Sequence, residues 1–212
     1  MTRLLVVRHG ETEWNRDRRY QGQKNVGLND TGQRQAERLK DRLADENIVA
    51  AYSSDLQRAK RTAETIVSSK GLEVVPFPGL RELDFGQFEG LTFEEIEQRF
   101  PSENRSWLSR RIDVSPPGGE NLVQLAKRVS SATDRILRQN AEGTVLVASH
   151  GGPIRAILCS LLEIGLTFWW RFRIGTGSLT IVETYPEGAV LTLLNETSFH
   201  DSGKDNVWWP SP

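Results

Sequence analysis

Two short apolar runs in this chain each stop on a histidine and a glycine. Leu4-Leu5-Val6-Val7 leads into Arg8-His9-Gly10-Glu11-Thr12, and Val145-Leu146-Val147-Ala148 leads into Ser149-His150-Gly151-Gly152. Four apolar residues rich in β-branched side chains read as a buried strand rather than a helix. In an open α/β sheet, ligands bind just beyond the carboxyl ends of the strands. Both imidazoles therefore stand where chemistry is done, beside glycines that let the backbone turn or approach a ligand closely. The chain has only three histidines, and histidines that merely pack in a core have no reason to share this setting.

Between and after these runs, helical and strand patterns alternate. Asp30-Thr31-Gly32-Gln33 reads as a helix start, with Asp30 or Thr31 as cap and Gln33 closing a capping box. Ala36, Leu39 and Leu43 then make an apolar stripe. Ile48–Tyr52 reads as a second strand, followed by a helix that Ser54 and Gln57 cap, with Arg58 in its first turn. That helix buries Leu56, Ala59, Ala63 and Ile66, while Arg58 shares another face with Arg61, Thr62 and Thr65. A cation there opposes the helix dipole, and a bound anion reverses the sign of that effect. A short strand is expected over 72–77. Residues 83–118 read as a helical lid-like insertion, with Thr92 capping one helix and a second helix running to Arg111. The longest amphipathic helix spans 120–139. Pro153 is expected at the first position of the next helix. Phe168-Trp169-Trp170 reads as a packed aromatic turn or an interaction surface, and 178–184 with 190–194 as a hairpin around Pro186-Glu187-Gly188. The tail from His200 to Pro212 reads as loose.

Three strand exits thus carry Arg8 with His9, Arg58, and His150. If those strands are parallel neighbours, two guanidinium groups and two imidazoles converge on one pocket. That set suits a dianion, and phosphate above all. An imidazole nitrogen can attack phosphorus, arginines can spread the developing charge, and a carboxylic acid can protonate the departing oxygen. The segment 82–89 offers Glu82, Asp84 and Glu89 among Leu and Phe side chains, and composition leaves the three tied. The loop Glu11–Lys24 carries Arg16, Arg18, Arg19 and Tyr20, either over the substrate or as a solvated surface.

The exclusions are broad. A net charge of −1 gives no signal for nucleic acid or membrane. One cysteine, Cys159, permits no internal disulfide and suits a reducing compartment; it reads as packing rather than as a nucleophile. Neither a signal pattern nor a run of 18 apolar residues is present, so a cytoplasmic location is the expectation. His-x-Asp, His-x-x-x-His and Cys-x-x-Cys metal pairs are missing, as are the glycine-rich nucleotide loops.

Taken together, these blocks resemble the histidine phosphatase superfamily, with its phosphoglycerate-mutase-like fold. The matching stretches are Arg8-His9-Gly10-Glu11-Thr12 with Asn15, Ser54-Asp55-Leu56-Gln57-Arg58-Ala59 with Thr62, and Leu80-Arg81-Glu82 before Phe85-Gly86 and Glu89-Gly90. Pro117-Gly118-Gly119-Glu120 and Ser149-His150-Gly151-Gly152 complete the set, in the family's order. The resemblance implies an α/β fold, a three-layer α/β/α sandwich with a mostly parallel central sheet, in one domain over 1–212. It implies His9 as the nucleophile that becomes phosphohistidine, with Arg8, Arg58 and His150 holding the phosphoryl group and Glu82 as the acid. Asn15, Thr62, Gly151, Gln21 and Gly22 are the implied substrate-binding residues. No metal and no other cofactor takes part.

The short interval between Glu82 and His150 and the Pro-Pro-Gly-Gly-Glu wording resemble the α-ribazole and broad-specificity phosphatase branch. The implied activity is phosphomonoester hydrolysis on a small phosphorylated metabolite, by a monomer or homodimer. A bisphosphate-primed phosphoglycerate mutase and a non-catalytic binding protein are the alternatives. Gly175-Thr176-Gly177 departs from the asparagine-containing turn of many relatives.

Overall fold

A computed structural model describes residues 1–200. The elements are β1 (Thr2–Arg8), α1 (Glu13–Arg16), α2 (Asp30–Arg42), β2 (Ile48–Ser53), α3 (Gln57–Val67), β3 (Val74–Pro76), α4 (Phe93–Arg99), α5 (Pro101–Leu108), α6 (Leu122–Gln139), β4 (Gly143–Ser149), α7 (Gly151–Leu161), β5 (Leu179–Tyr185) and β6 (Gly188–Glu196). The sheet order is β3-β2-β4-β1-β5-β6. The first four strands in that order are mutually parallel, and β5 and β6 complete the sheet antiparallel.

Because side chains alternate across a strand, each strand feeds two cores. Leu4, Val6, Tyr52, Val145 and Val147 face α6 and α7. Leu5, Val7, Ala51, Leu146 and Ala148 face α2 and α3. The result is an α/β/α sandwich in three layers. The α6 stripe of Leu122, Leu125, Val129, Ala132 and Ile136 is wholly on the inner side. The 83–118 segment is packed rather than loose: Phe85, Phe88, Ile96 and Trp107 join the α6–α7 core. Among the described residues, no helix is long and apolar enough to cross a membrane.

Several local expectations are corrected. Asn29, not Asp30 or Thr31, caps α2, accepting from the Gly32 N–H at 2.8 Å. The helix starts earlier because Gly32 must lie against the backbone of Gly10 and Glu11, where a Cβ on either glycine would collide with main chain. Ser54 and Gln57 form no capping box: Ser54 Oγ accepts from the Leu56 N–H at 3.2 Å, and the Gln57 N–H turns to Asn25 at 2.8 Å. The chain stays extended there so that the Ser54 N–H can reach the Ala148 carbonyl of β4.

The 11–24 loop contains α1, opened by a Thr12–Asn15 capping box. The third strand pairs only over Val74–Pro76. The helix expected to reach Arg111 ends at Leu108. The longest helix begins at Leu122, since Asn121 and Gln124 cap it. α7 begins at Gly151, which puts Pro153 inside its first turn. His200 is tied down, with Nε2 2.9 Å from the Gly177 carbonyl. The rest of the tail, 201–212, lies outside the described residues.

Candidate active site

β1, β4 and β2 are adjacent and parallel, so their carboxyl ends open on one side. The pairing Arg8↔Ser149 sets His9 and His150 next to each other, with ring centroids 5.0 Å apart. Arg58 arrives from the first turn of α3, beyond β2. Arg8, His9, Asn15, Gln21, Arg58, Glu82 and Gly151 all line one pocket, together with Arg19, Tyr20, Phe85, Gly152, Arg155 and Trp169.

His9 is buried, and its Nδ1 stands 2.7 Å from the Gly10 carbonyl. A carbonyl only accepts, so Nδ1 carries the proton and Nε2 keeps its lone pair. Burial, then the charges of Arg58 and Arg8, holds the imidazole well below its ordinary 6.5. It is neutral at pH 7, which leaves that lone pair free.

His150 has the opposite tautomer. Its Nδ1 accepts from Arg58 Nε at 3.2 Å, so its Nε2 is the donor. That nitrogen is buried with no hydrogen-bond partner among the described residues, as is Arg8 Nε. Arg8 lines the pocket, whereas His150 does not and lies against the His9 ring, 5.0 Å away; two buried donors without a partner need an acceptor. His150 too is held neutral, by burial first and Arg58 second.

Arg58 is fully buried. Its Nη1 and Nη2 donate to the carbonyls of Lys24 and Gly22, each at 2.7 Å. Burial lowers its pKa to about 10, which leaves it cationic at neutral pH. Arg8 is steadied by the Ile174 carbonyl at 2.6 Å. Asn15 Oδ1 serves the cap of α1, accepting from Thr12 N–H and Oγ at 3.1 Å. Gln21 Oε1 is buried without a hydrogen-bond partner among the described residues.

Among the three carboxylates, position separates the candidates. Glu82 Oε1 accepts from the Leu83 N–H at 2.8 Å and the Gly152 N–H at 3.0 Å. Glu82 lines the pocket, and its Oε2 lies 3.9 Å from where a Cβ on Gly151 would sit. Glu89 is turned to Gln23 N–H at 2.7 Å, and burial raises its pKa. Asp84 closes its own turn on Gly86 N–H at 2.8 Å. Neither lines the pocket.

Two residues expected to bind substrate stand one layer back. Thr62 Oγ1 accepts from the Gly10 N–H at 3.2 Å and donates to the Arg58 carbonyl at 2.7 Å. Gly22 offers its carbonyl to Arg58 and adopts φ +51°, with the Glu89 carboxylate where a Cβ would go. Of the basic loop, Arg16 and Arg18 are solvated, whereas Arg19 reaches the pocket and pairs with Glu95 at 2.8 Å.

Sequence does not single out Arg155, and it marks Trp169 only as part of an aromatic cluster, not as a lining residue. Arg155 donates to the Phe172 carbonyl at 2.9 Å and lies over the Trp169 ring at 4.7 Å. Trp169 Nε1 donates to the Gly152 carbonyl at 3.0 Å. The missed signal is one arginine inside the apolar run Ile154–Leu158, all of it buried. Cys159 is buried, and desolvation pushes its thiol up to about 11. Among the described residues, no three His, Cys, Asp or Glu side chains are grouped to hold a metal ion.

This geometry defines an α/β sandwich with a phosphate-type pocket at its strand ends. The chain belongs to the histidine phosphatase superfamily, branch 1, whose model matches residues 4–197. It is 34% identical to phosphoserine phosphatase 1 of Hydrogenobacter thermophilus, over 93% of each chain. A bifunctional protein of Mycobacterium tuberculosis is 42% identical over 93% of this chain and 55% of its own length. The chain therefore spans about half the length of the first curated relatives it matches. The crystal structure of the α-ribazole phosphatase from Shigella flexneri superposes with a TM-score of 0.86 at 28% identity, over 92% of this chain and 96% of that one.

Proposed function

We propose that this chain is a metal-independent phosphomonoesterase that works through a phosphohistidine on His9. The observation that carries the reading is the His9 Nδ1 contact to Gly10 O, which leaves a neutral, lone-pair-bearing Nε2 in a pocket lined by Arg8 and Arg58, with the His150 ring beside it. In the first step Nε2 attacks phosphorus as the bond from phosphorus to the ester oxygen breaks. Arg8, Arg58 and the Nε2–H of His150 hold the phosphoryl oxygens, whose charge grows in the transition state. Glu82, as the acid, gives its proton to the departing alkoxide. In the second step the Glu82 carboxylate takes a proton from water, and the water oxygen attacks phosphorus. The phosphorus–Nε2 bond breaks, phosphate leaves, and neutral His9 is restored.

The substrate is a small phosphorylated metabolite. Phosphatases for phosphoserine and α-ribazole phosphate lie among the relatives, and Arg155, Trp169, Phe85, Arg19 and Tyr20 form the wall that the leaving group meets. The test is phosphate release from a panel of phosphomonoesters in EDTA, wild type beside His9→Ala. Release that persists in EDTA and vanishes in a folded His9→Ala chain is the expected result. Interconversion of phosphoglycerates without net release would favour a mutase, and release that EDTA abolishes would overturn the mechanism.

A further inference from the structure

Glu82 sits in irregular backbone, beyond the short 3-10 turn Pro78–Leu80 and outside the sheet ladder. Something must fix it, because an acid that wanders by an ångström loses most of its value. The Arg128 guanidinium, on α6, spends all five of its N–H groups on this task. Its Nη1 donates to the carbonyls of Gly79 at 3.0 Å and Arg81 at 2.6 Å, and Nη2 donates to the carbonyl of Glu82 itself at 2.7 Å. The remaining two N–H groups grip Glu120, Nε to Oε2 at 3.0 Å and Nη2 to Oε1 at 2.5 Å.

Glu120 in turn holds the far side of Glu82. Its Oε1 accepts from the Asp84 N–H at 3.2 Å, and its own N–H donates to the Asp84 carbonyl at 3.0 Å. The backbone is thus bound at Gly79, Arg81, Glu82 and Asp84 by one ion pair. Three converging carbonyls repel one another without a cation at their focus, and the planar five-donor fork suits them as an ammonium does not. Neither Arg128 nor Glu120 lines the pocket.

We infer that Arg128 and Glu120 form a positioning pair that aims the Glu82 carboxyl at the leaving-group oxygen; this rests on the role given to Glu82 above. A pair that only braced the fold would affect all substrates alike. A positioning pair affects the substrates that need the acid.

The experiment compares kcat/KM for an alkyl ester, 3-phosphoglycerate, with that for nitrophenyl phosphate, whose leaving group needs no proton. Wild type, Arg128→Met, Glu82→Gln and the double variant are measured. Arg128→Met is expected to lose about 30-fold or more on the alkyl ester and less than about threefold on the aryl ester. Added to Glu82→Gln, it should cost nothing further on the alkyl ester. Equal losses on both esters, or losses that multiply in the double variant, overturn the inference. Glu120→Gln keeps the volume and decides the matter if Arg128→Met does not fold: a loss confined to the alkyl ester supports the inference, and an even loss overturns it. Failure of the wild type on both esters instead sinks the phosphatase reading itself, so the two failures are distinct.

Discussion

Arg58 Nε donates to Nδ1 of His150 at 3.2 Å, and this bond decides which imidazole nitrogen carries the proton. Under the proposed mechanism, replacing Arg58 by Met therefore removes a phosphate-binding cation and frees the His150 tautomer together. We expect kcat/KM to fall by roughly 10²–10³-fold. Nitrogen NMR should show the wild-type His150 as the Nε2–H tautomer and the variant as a mixture. A variant whose His150 stays in the wild-type tautomer would show that Arg58 does not set it.

Thr62 holds the active-site backbone without entering the pocket. Thr62→Val orphans the buried Gly10 N–H, so urea unfolding should show a loss of about 1–3 kcal/mol. Thr62→Ser keeps the hydroxyl and should recover most of that loss. Equal destabilisation in both variants would mean that the methyl group, not the bond, matters.

Gly152 is a glycine because Glu82 comes so close to its amide; a Cβ there falls on the Glu82 carboxylate. Gly152→Ala must push the carboxyl aside. Hydrolysis of alkyl phosphates should drop about 10²-fold while nitrophenyl phosphate is largely spared. Unchanged alkyl-ester turnover would remove Glu82 from the mechanism.

The two buried imidazoles also couple stability to pH. Both fold with pKa values held well below 6.5 by burial, with Arg58 the next cause. Below pH 6.5 the unfolded chain then binds more protons than the folded one, so stability falls as pH falls and is complete above that value. Each histidine contributes up to about 1.4 kcal/mol per pH unit across the window between its folded pKa and 6.5. Urea midpoints measured from pH 7 to pH 5.5 should decline less steeply in His9→Ala. An identical slope would mean that His9 titrates normally in the fold.

Orthovanadate should inhibit competitively with the phosphoester, since Arg8 Nε of the pocket lining and His150 Nε2, on the ring beside His9, have no partner among the described residues. Noncompetitive inhibition would place its site elsewhere.

Much of this arrangement is legible in the sequence because strand exits announce themselves. An apolar run that ends on Arg8-His9-Gly10 or His150-Gly151 leaves little choice of where its polar groups go. Arg58 shows its oddity as a cation in a first helical turn. The capping residues were harder to read, because tertiary contacts outvote local preference. Asn29 displaces Asp30 so that Gly32 can meet Gly10, and Ser54 abandons a cap to pair with β4. Arg155 was hidden by the stripe around it, where only the neighbouring helices and the Trp169 ring make a buried guanidinium tolerable. The choice among Glu82, Asp84 and Glu89 depends on which carboxylate α7 can reach, a relation between residues 70 apart.

The register Arg8↔Ser149 has a consequence of another kind. Successive strand residues face opposite sides of a sheet, so a slip of one position between β1 and β4 would exchange inside for outside along the strand. The two imidazoles would then miss each other, and the site would lose both the proposed nucleophile, His9, and the hydrogen-bond donor His150 at once. Turnover therefore acts as a proofreader of assembly: a molecule that has zipped its central strands out of step is silent, and the active fraction of a refolded sample counts the chains that paired correctly.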